Sequence, residues 1–281
     1  MNRSRWNVLV SLVAVLAIGT LVFAQTEKSR RPADSAYALT AKADKSLSPT
    51  GAAMFTGTAL PVGKGAVRSW VRLDENGDPT AIGLTFDEAA LEGLPADAPH
   101  GKLGPEYVLA LPPEARATAF DHVLMNWNPH GHQPSKVYDV GHFDFHFYTI
   151  SRQEREQITA TGDDLAKTQR RPPAEFVPEG YIYAPNSEEP QMGAHWVDPA
   201  SHEFHGHDFT RSLLYGSYDG QIIFVEPMIT RAYLLTRPDV TEPLKLPARY
   251  GKSGYYPTRY SVRYDPTKKE YTVALEGMTL R

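Results

Sequence analysis

The sequence predicts a mainly β protein, an antiparallel β-sandwich or barrel with one or two short helices. Three observations carry that expectation: short segments alternate apolar and polar residues, turn residues punctuate them, and sustained helical periodicity is scarce. In Val67-Arg68-Ser69-Trp70-Val71-Arg72-Leu73, the residues Val67, Val71 and Leu73 share one face and Arg68 and Arg72 the other. A turn at Asp74-Glu75-Asn76-Gly77-Asp78 leads into Ile82, Leu84 and Phe86 with the same period of two, which makes a hairpin. A second hairpin spans Ser212 to Met228, with Asp219-Gly220 as its two-residue turn. Its return strand, Ile222-Ile223-Phe224-Val225, is apolar on both faces and therefore expects cover on both sides. Near the C-terminus, Tyr260, Val262 and Tyr264 alternate, turn at Asp265-Pro266, and return through Tyr271, Val273 and Leu275. Helical signals are few. Asp87 to Leu91 reads as one turn closed by Gly93, and Ser151-Arg152-Gln153-Glu154 has capping-box spacing that predicts a short surface helix to about Thr159.

The domain organisation follows from composition. Arg3 and Arg5 precede an uncharged apolar run from Val8 to Phe23, and Val22 and Ala24 stand before a cut at Gln25. That pattern predicts a signal peptide over residues 1–24 and a secreted or periplasmic protein. If the segment is not cleaved, it is a membrane anchor instead. Residues 25–50 are polar and small and read as a flexible linker. Residues 51–281 are then a single β-rich domain, long enough to bury its own core. The chain has no cysteine and a net charge of −4. Disulfides, thiolate ligands and thiol nucleophiles are thereby excluded, and the weak acidity offers no footprint for nucleic acid. Phosphate loops, dinucleotide fingerprints, nucleophile elbows and His-Glu-x-x-His helices are absent as well.

Histidine is where the chemistry concentrates. Of the ten in the chain, His130, His132, His142, His146, His195, His202, His205 and His207 all fall between positions 130 and 207. In Gly141-His142-Phe143-Asp144-Phe145-His146-Phe147-Tyr148, the aromatic content favours a strand. On a strand, His142, Asp144 and His146 line one face and Phe143, Phe145 and Phe147 the other. Residues four apart on a flat strand are about 13 Å apart, so further ligands must come from other strands. His195, beside a small-residue turn, and Glu226, on the expected face of Phe224 and Ile222, are the candidates. A buried carboxylate there needs a cation. The metal candidates are thus His142, Asp144, His146, His195 and Glu226, with His130, His132 and Tyr148 as outer groups. Such nitrogen and oxygen donors suit Zn, Fe, Mn or Cu. His202, His205 and His207 read as a solvated loop.

Four ordered motifs carry a resemblance. Asn126-Trp127-Asn128-Pro129-His130-Gly131-His132, His142 through Tyr148, Met192-Gly193-Ala194-His195-Trp196, and Tyr215 through Gly220 continuing to Glu226-Pro227-Met228-Ile229-Thr230 resemble an uncharacterised family of exported bacterial proteins, a domain of unknown function. The resemblance runs from about Gly57 to about Leu235. It implies a secreted β-rich domain that assembles as a homo-oligomer, and it brings no activity. A fainter likeness to the zinc strand of α-type carbonic anhydrases fails on spacing, because those ligands stand two residues apart and these histidines stand four apart.

The sequence therefore expects an exported protein that binds a divalent transition metal through a His/Asp/Glu cluster, with a small-molecule substrate if it is a metal-dependent hydrolase or oxidoreductase. The alternative is a non-catalytic envelope protein whose histidine cluster is structural and which acts by assembly or sequestration. Expression in a secreting bacterial host tests the export signal directly. Amino-terminal sequencing of the exported protein is expected to begin at Gln25, and retention of Met1 in the membrane fraction would show an anchor.

Overall fold

Each of the three predicted hairpins forms, because alternation lets one row of every strand reach a common core. The computed structural model describes residues 46–47, 52–97 and 104–281. The expected signal lies outside the described residues, as does the linker apart from Ser46 and Leu47. These two form strand β1 (Ser46–Leu47), which pairs with β2 (Ala53–Thr56) through Ser46–Met54 and Leu47–Ala53.

The first sheet contains β1, β2, β3 (Leu60–Val62), β4 (Gly65–Leu73), β5 (Pro79–Asp87), β13 (Asp239–Pro243), β15 (Arg259–Asp265) and β16 (Glu270–Glu276). Its order is β1-β2-β4-β5-β16-β15-β13, with β3 also on β4. The second sheet contains β6 (Glu106–Ala110), β7 (His122–Asn128), β8 (His142–Tyr148), β9 (Ile182–Tyr183), β10 (Ala194–Val197), β11 (Arg211–Tyr218) and β12 (Gln221–Thr230). Its order is β6-β7-β8-β12-β11-β10-β9. A small ribbon pairs β14 (Tyr255–Tyr256) with β17 (Thr279–Leu280). Both large sheets are open and antiparallel, so the architecture is the sandwich and not the closed barrel.

The shared core lies between the sheets. Val67, Val71, Ile82, Leu84, Phe86, Val262 and Val273 from one side meet Val123, Met125, Phe143, Phe145, Phe147 and Val225 from the other. Phe86 stacks on Phe145 with ring centroids 6.1 Å apart. The aromatic row of β8 is thus the second sheet's contribution to the core, and its polar row points outward. That outer face is not exposed. Tyr138 and Phe209 pack onto Leu214 and Met228, while Ile158 and Met192 pack onto Leu124, Tyr148 and Phe224. Every residue of β7 and β8 is consequently buried.

Local signals behave as expected, with two corrections. Asp219 and Gly220 both take positive φ, 49° and 79°, as a tight hairpin turn of the primed type requires. Ser151 and Glu154 form a complete capping box on helix α1 (Arg152–Glu156). That helix stops short of Thr159 because the Asp164 carboxylate accepts the Thr159 and Ala160 amides and turns the chain away. The second correction concerns β12. Gly216 opposes Phe224 but Ser217 opposes Ile222, so Ile223 is the extra residue of a bulge. Ile222 therefore packs toward the inter-sheet core, and Ile223 and Phe224 both face outward. Glu226 shares its face with Phe224 and not with Ile222.

Phe145 is fully buried and joins the two sheets. Phe145→Ala is expected to lower unfolding stability by about 3–5 kcal/mol in urea titration. Ile182→Ala, at a side chain 51% exposed, is expected to change it by less than about 0.5 kcal/mol.

Candidate metal centre

The outward row of the second sheet is built by strand register. Across β7 and β8, Asn126 opposes Asp144 and Asn128 opposes His142. Across β12 and β8, Val225 opposes Phe147 and Met228 opposes Asp144. The same register sets Glu226 opposite His146. His195 on β10 opposes Gly216 of β11, two strands beyond Glu226 on β12. Gly216 makes room here, since a Cβ on it would lie 2.0 Å from the Phe224 ring. That ring packs edge-on against His146 and His195.

The predicted donors separate into two groups. Asp144 is faced by His142 Nε2 at 3.0 Å from Oδ1 and by His132 Nε2 at 3.4 Å from Oδ2. Glu226 is faced by His146 Nε2 at 3.1 Å from Oε1 and by His195 Nε2 at 3.8 Å from Oε2. In each group the three donor atoms lie within 4.8 Å of one another. The sequence expectation of one cluster spanning His142 to Glu226 is thus corrected to two clusters of two histidines and one carboxylate. The reason is the strand spacing that keeps His142 and His146 apart. His132 moves from an outer group to a donor. Its loop is held over the sheet by the His132 amide, which donates to the Tyr138 carbonyl, and by Gly131 at φ 68°, where a Cβ would meet that carbonyl oxygen at 1.9 Å.

The hydrogen bonds around the rings fix which nitrogen faces inward. His142 Nδ1 lies 2.7 Å from the Val140 carbonyl, His132 Nδ1 2.8 Å from the Gln133 carbonyl, and His195 Nδ1 2.8 Å from the Ser187 carbonyl. A carbonyl can only accept, so each Nδ1 carries the proton and donates. In the neutral ring the Nε2 lone pair then points at the carboxylate. Two acceptors facing each other at 3 Å repel unless a metal cation or a proton stands between them. His142 Nε2, Asp144 Oδ1, His146 Nε2 and Glu226 Oε2 are all buried, and none makes an aligned hydrogen bond. Donor atoms around an ion with bonds of 2.0–2.1 Å lie about 3 Å apart. Main-chain carbonyls holding the outer ring nitrogens are the usual support of metal-bound histidine. The residues present fit a transition metal at each group.

Asn128 steadies the first carboxylate. Its Nδ2 donates to Asp144 Oδ2 at 2.6 Å, and its Oδ1 accepts the Gly104 amide at 3.2 Å. Asn126 and Asn128 belong to the site and were not among the predicted residues. The signal was present, since asparagine is depleted in strands and these two recur with period two in an otherwise apolar segment. His130 stays at the surface near Asp97, 3.8 Å away. Tyr148 shares the outer face without joining either group. Its ring stacks on His122 and His146, and its hydroxyl donates to the Gln191 carbonyl. His202 and His205 bound a short 3-10 turn, and neither they nor His207 belong to either group. Clefts of about 510 and 550 Å³ open elsewhere, the first beside Trp127 and Arg231, the second between Phe120, Tyr215 and Tyr250.

Residues 74–127 match a family model described as TTHB210-like, hypothetical protein TTHB210. Over that segment the chain is similar to an uncharacterised family. The match is narrower than the resemblance drawn from the four motifs. It reaches Asn126 and Trp127, and all six donors lie beyond it. No curated protein and no solved structure matches the chain.

The electrostatics set the pH response of the metal-free protein. Burial works against the His132 imidazolium, but the charge and hydrogen bond of Asp144 outweigh it and raise its pKa to about 9. Burial likewise opposes the Asp144 carboxylate, yet His142 and His132 hold it well below the usual range. A histidine raised from about 6.5 stabilises fully below that value and loses its contribution as pH rises through about 9. An aspartate lowered from about 3.9 stabilises above that value and loses its contribution as pH falls further. Both contributions are intact between about pH 4 and 6.5. In metal-free protein the His132 ring is expected to titrate near 9 by NMR, and Asp144→Asn is expected to bring it down toward 6.5. An unchanged titration would show that Asp144 is not its partner.

Proposed function

We propose that this is an exported metalloprotein whose second sheet holds a divalent transition metal at each of two centres, one on Asp144, His132 and His142 and one on Glu226, His146 and His195. The observation that carries this reading is the convergence of histidine Nε2 atoms on two buried carboxylates, those of His142 and His146 without an aligned hydrogen bond, while main-chain carbonyls hold Nδ1 of three of the four rings. A cation at Asp144 removes the repulsion from the inward lone pairs of His142 and His132, and one at Glu226 answers the inward lone pair of His195. Two histidines and one carboxylate leave coordination positions for water or a small oxygenated molecule, and the set suits Fe, Zn, Mn or Cu without any thiolate. When bound, such an ion supplies Lewis-acid or redox chemistry. The chain's own contribution is to fix three donors per ion and keep bulk water away. The apolar run from Val8 to Phe23 supports export.

A second reading has its own support at one group. The raised pKa of His132 lets a proton occupy the cation's place beside Asp144, so that this group can serve as a buried ion pair in a non-catalytic envelope protein.

Metal analysis of untagged protein separates the readings. Up to two ions per chain are expected, with Asp144→Asn and Glu226→Gln each removing one and His205→Ala removing none. Binding at the first centre is expected to release the His132 proton below pH 9. Wild-type protein that stays metal-free in Zn, Mn, Fe and Cu, with unchanged melting, would leave only the ion-pair reading.

A further inference from the structure

Asn126 stands in the middle of β7, on the outward face, directly across from Asp144. The same register makes His142 and His146 its two diagonal neighbours on β8, about 7–8 Å away at Cα and within reach of side chains. Asn126 is fully buried, and neither its Oδ1 nor its Nδ2 has a partner. The contrast with Asn128, which uses both ends of its amide, shows that the fold can satisfy an asparagine on this face. An unpaired buried polar group is destabilising, so a primary amide with both ends unmatched is a costly residue to keep in a central strand. Asp144 Oδ1 and His142 Nε2, its neighbours across the strand pair, are unmatched as well.

We infer that Asn126 binds a small oxyacid anion that retains one proton, of the hydrogencarbonate type, beside the ion held at Asp144. This rests on the metal reading. The amide dictates the class of ligand. Its oxygen only accepts and its NH₂ only donates, so one molecule that satisfies both presents an O–H and an acceptor oxygen side by side. Charge narrows the choice further. Two buried carboxylates on the same face disfavour a dianion such as sulfate, which also lacks the O–H. The ligand would be enclosed, because Asn126, His142, Asp144, His146 and Glu226 are each at most 2% exposed. Of the residues around Asp144, the His132 side chain reaches solvent, at 26% exposure.

The test uses full-length protein loaded with Co²⁺, whose visible absorption reports on the ligands of the ion. Titration with hydrogencarbonate is expected to change the wild-type spectrum saturably, and sulfate is expected to leave it unchanged. Asn126→Leu removes both hydrogen bonds at nearly constant volume and is expected to weaken hydrogencarbonate at least about tenfold with Co²⁺ content and circular dichroism preserved. Asn126→Ala serves if the leucine variant does not fold, with the same expectation. Equal affinity in wild type and variants would overturn the inference, as would a spectrum that hydrogencarbonate does not move. So would a variant that only melts differently, which would make Asn126 the seat of a structural water. Wild-type protein that takes up no Co²⁺ would remove the metal reading itself and this inference with it.

Discussion

Two carboxylates buried on one face of a sheet impose the constraint around which the second sheet is organised. Asp144 and Glu226 are each about 98% removed from solvent, where an unpaired charge is untenable. Each is answered by two imidazoles, and the means differ. Asp144 draws one histidine from its own strand and one from a loop. Glu226 draws one from the neighbouring strand and one from a strand farther along the sheet. The covering layer of Tyr138, Ile158, Met192 and Phe209 then turns an ordinary solvent-facing row into an interior.

Strand β8 carries this arrangement because its two faces have different tasks. Phe143, Phe145 and Phe147 anchor it in the inter-sheet core, and an anchored backbone fixes where His142, Asp144 and His146 leave the strand. Rigidity on one face thus provides precision on the other, which is the condition for a site held by strands. The Gly216 and Phe224 pair extends the same principle sideways. The missing side chain admits an aromatic ring that packs against one histidine from each of two strands.

Much of this was legible in the sequence, and the limits have physical causes. The hairpins at Val67–Phe86, Ser212–Met228 and Tyr260–Leu275 were readable because period and turn chemistry are local. The polar row of β8 was readable for the same reason, since alternation alone places His142, Asp144 and His146 together. Division of the donors into two groups was not readable, because it depends on the β8–β12 register and on where the His132 loop lands. The face of Ile222 was misjudged because a bulge inverts alternation without leaving a glycine or proline at the bulged position. Asn126 and Asn128 left a composition signal, but its meaning required knowing that β7 borders β8.

The partly open residues of the two groups belong to different parts of the chain. His132, on a loop, is 26% exposed, and His195, on β10, is 13% exposed. Every other donor is effectively sealed. Each group thus meets solvent at a different histidine, and the two histidines differ in how firmly they are held. A loop histidine can swing aside by local motion, whereas a strand histidine clamped at both its backbone and its ring by Ser187 moves only when its strand does. If each group holds an ion, the one beside the loop histidine exchanges faster than the one beside the strand histidine, even though their donors are chemically alike.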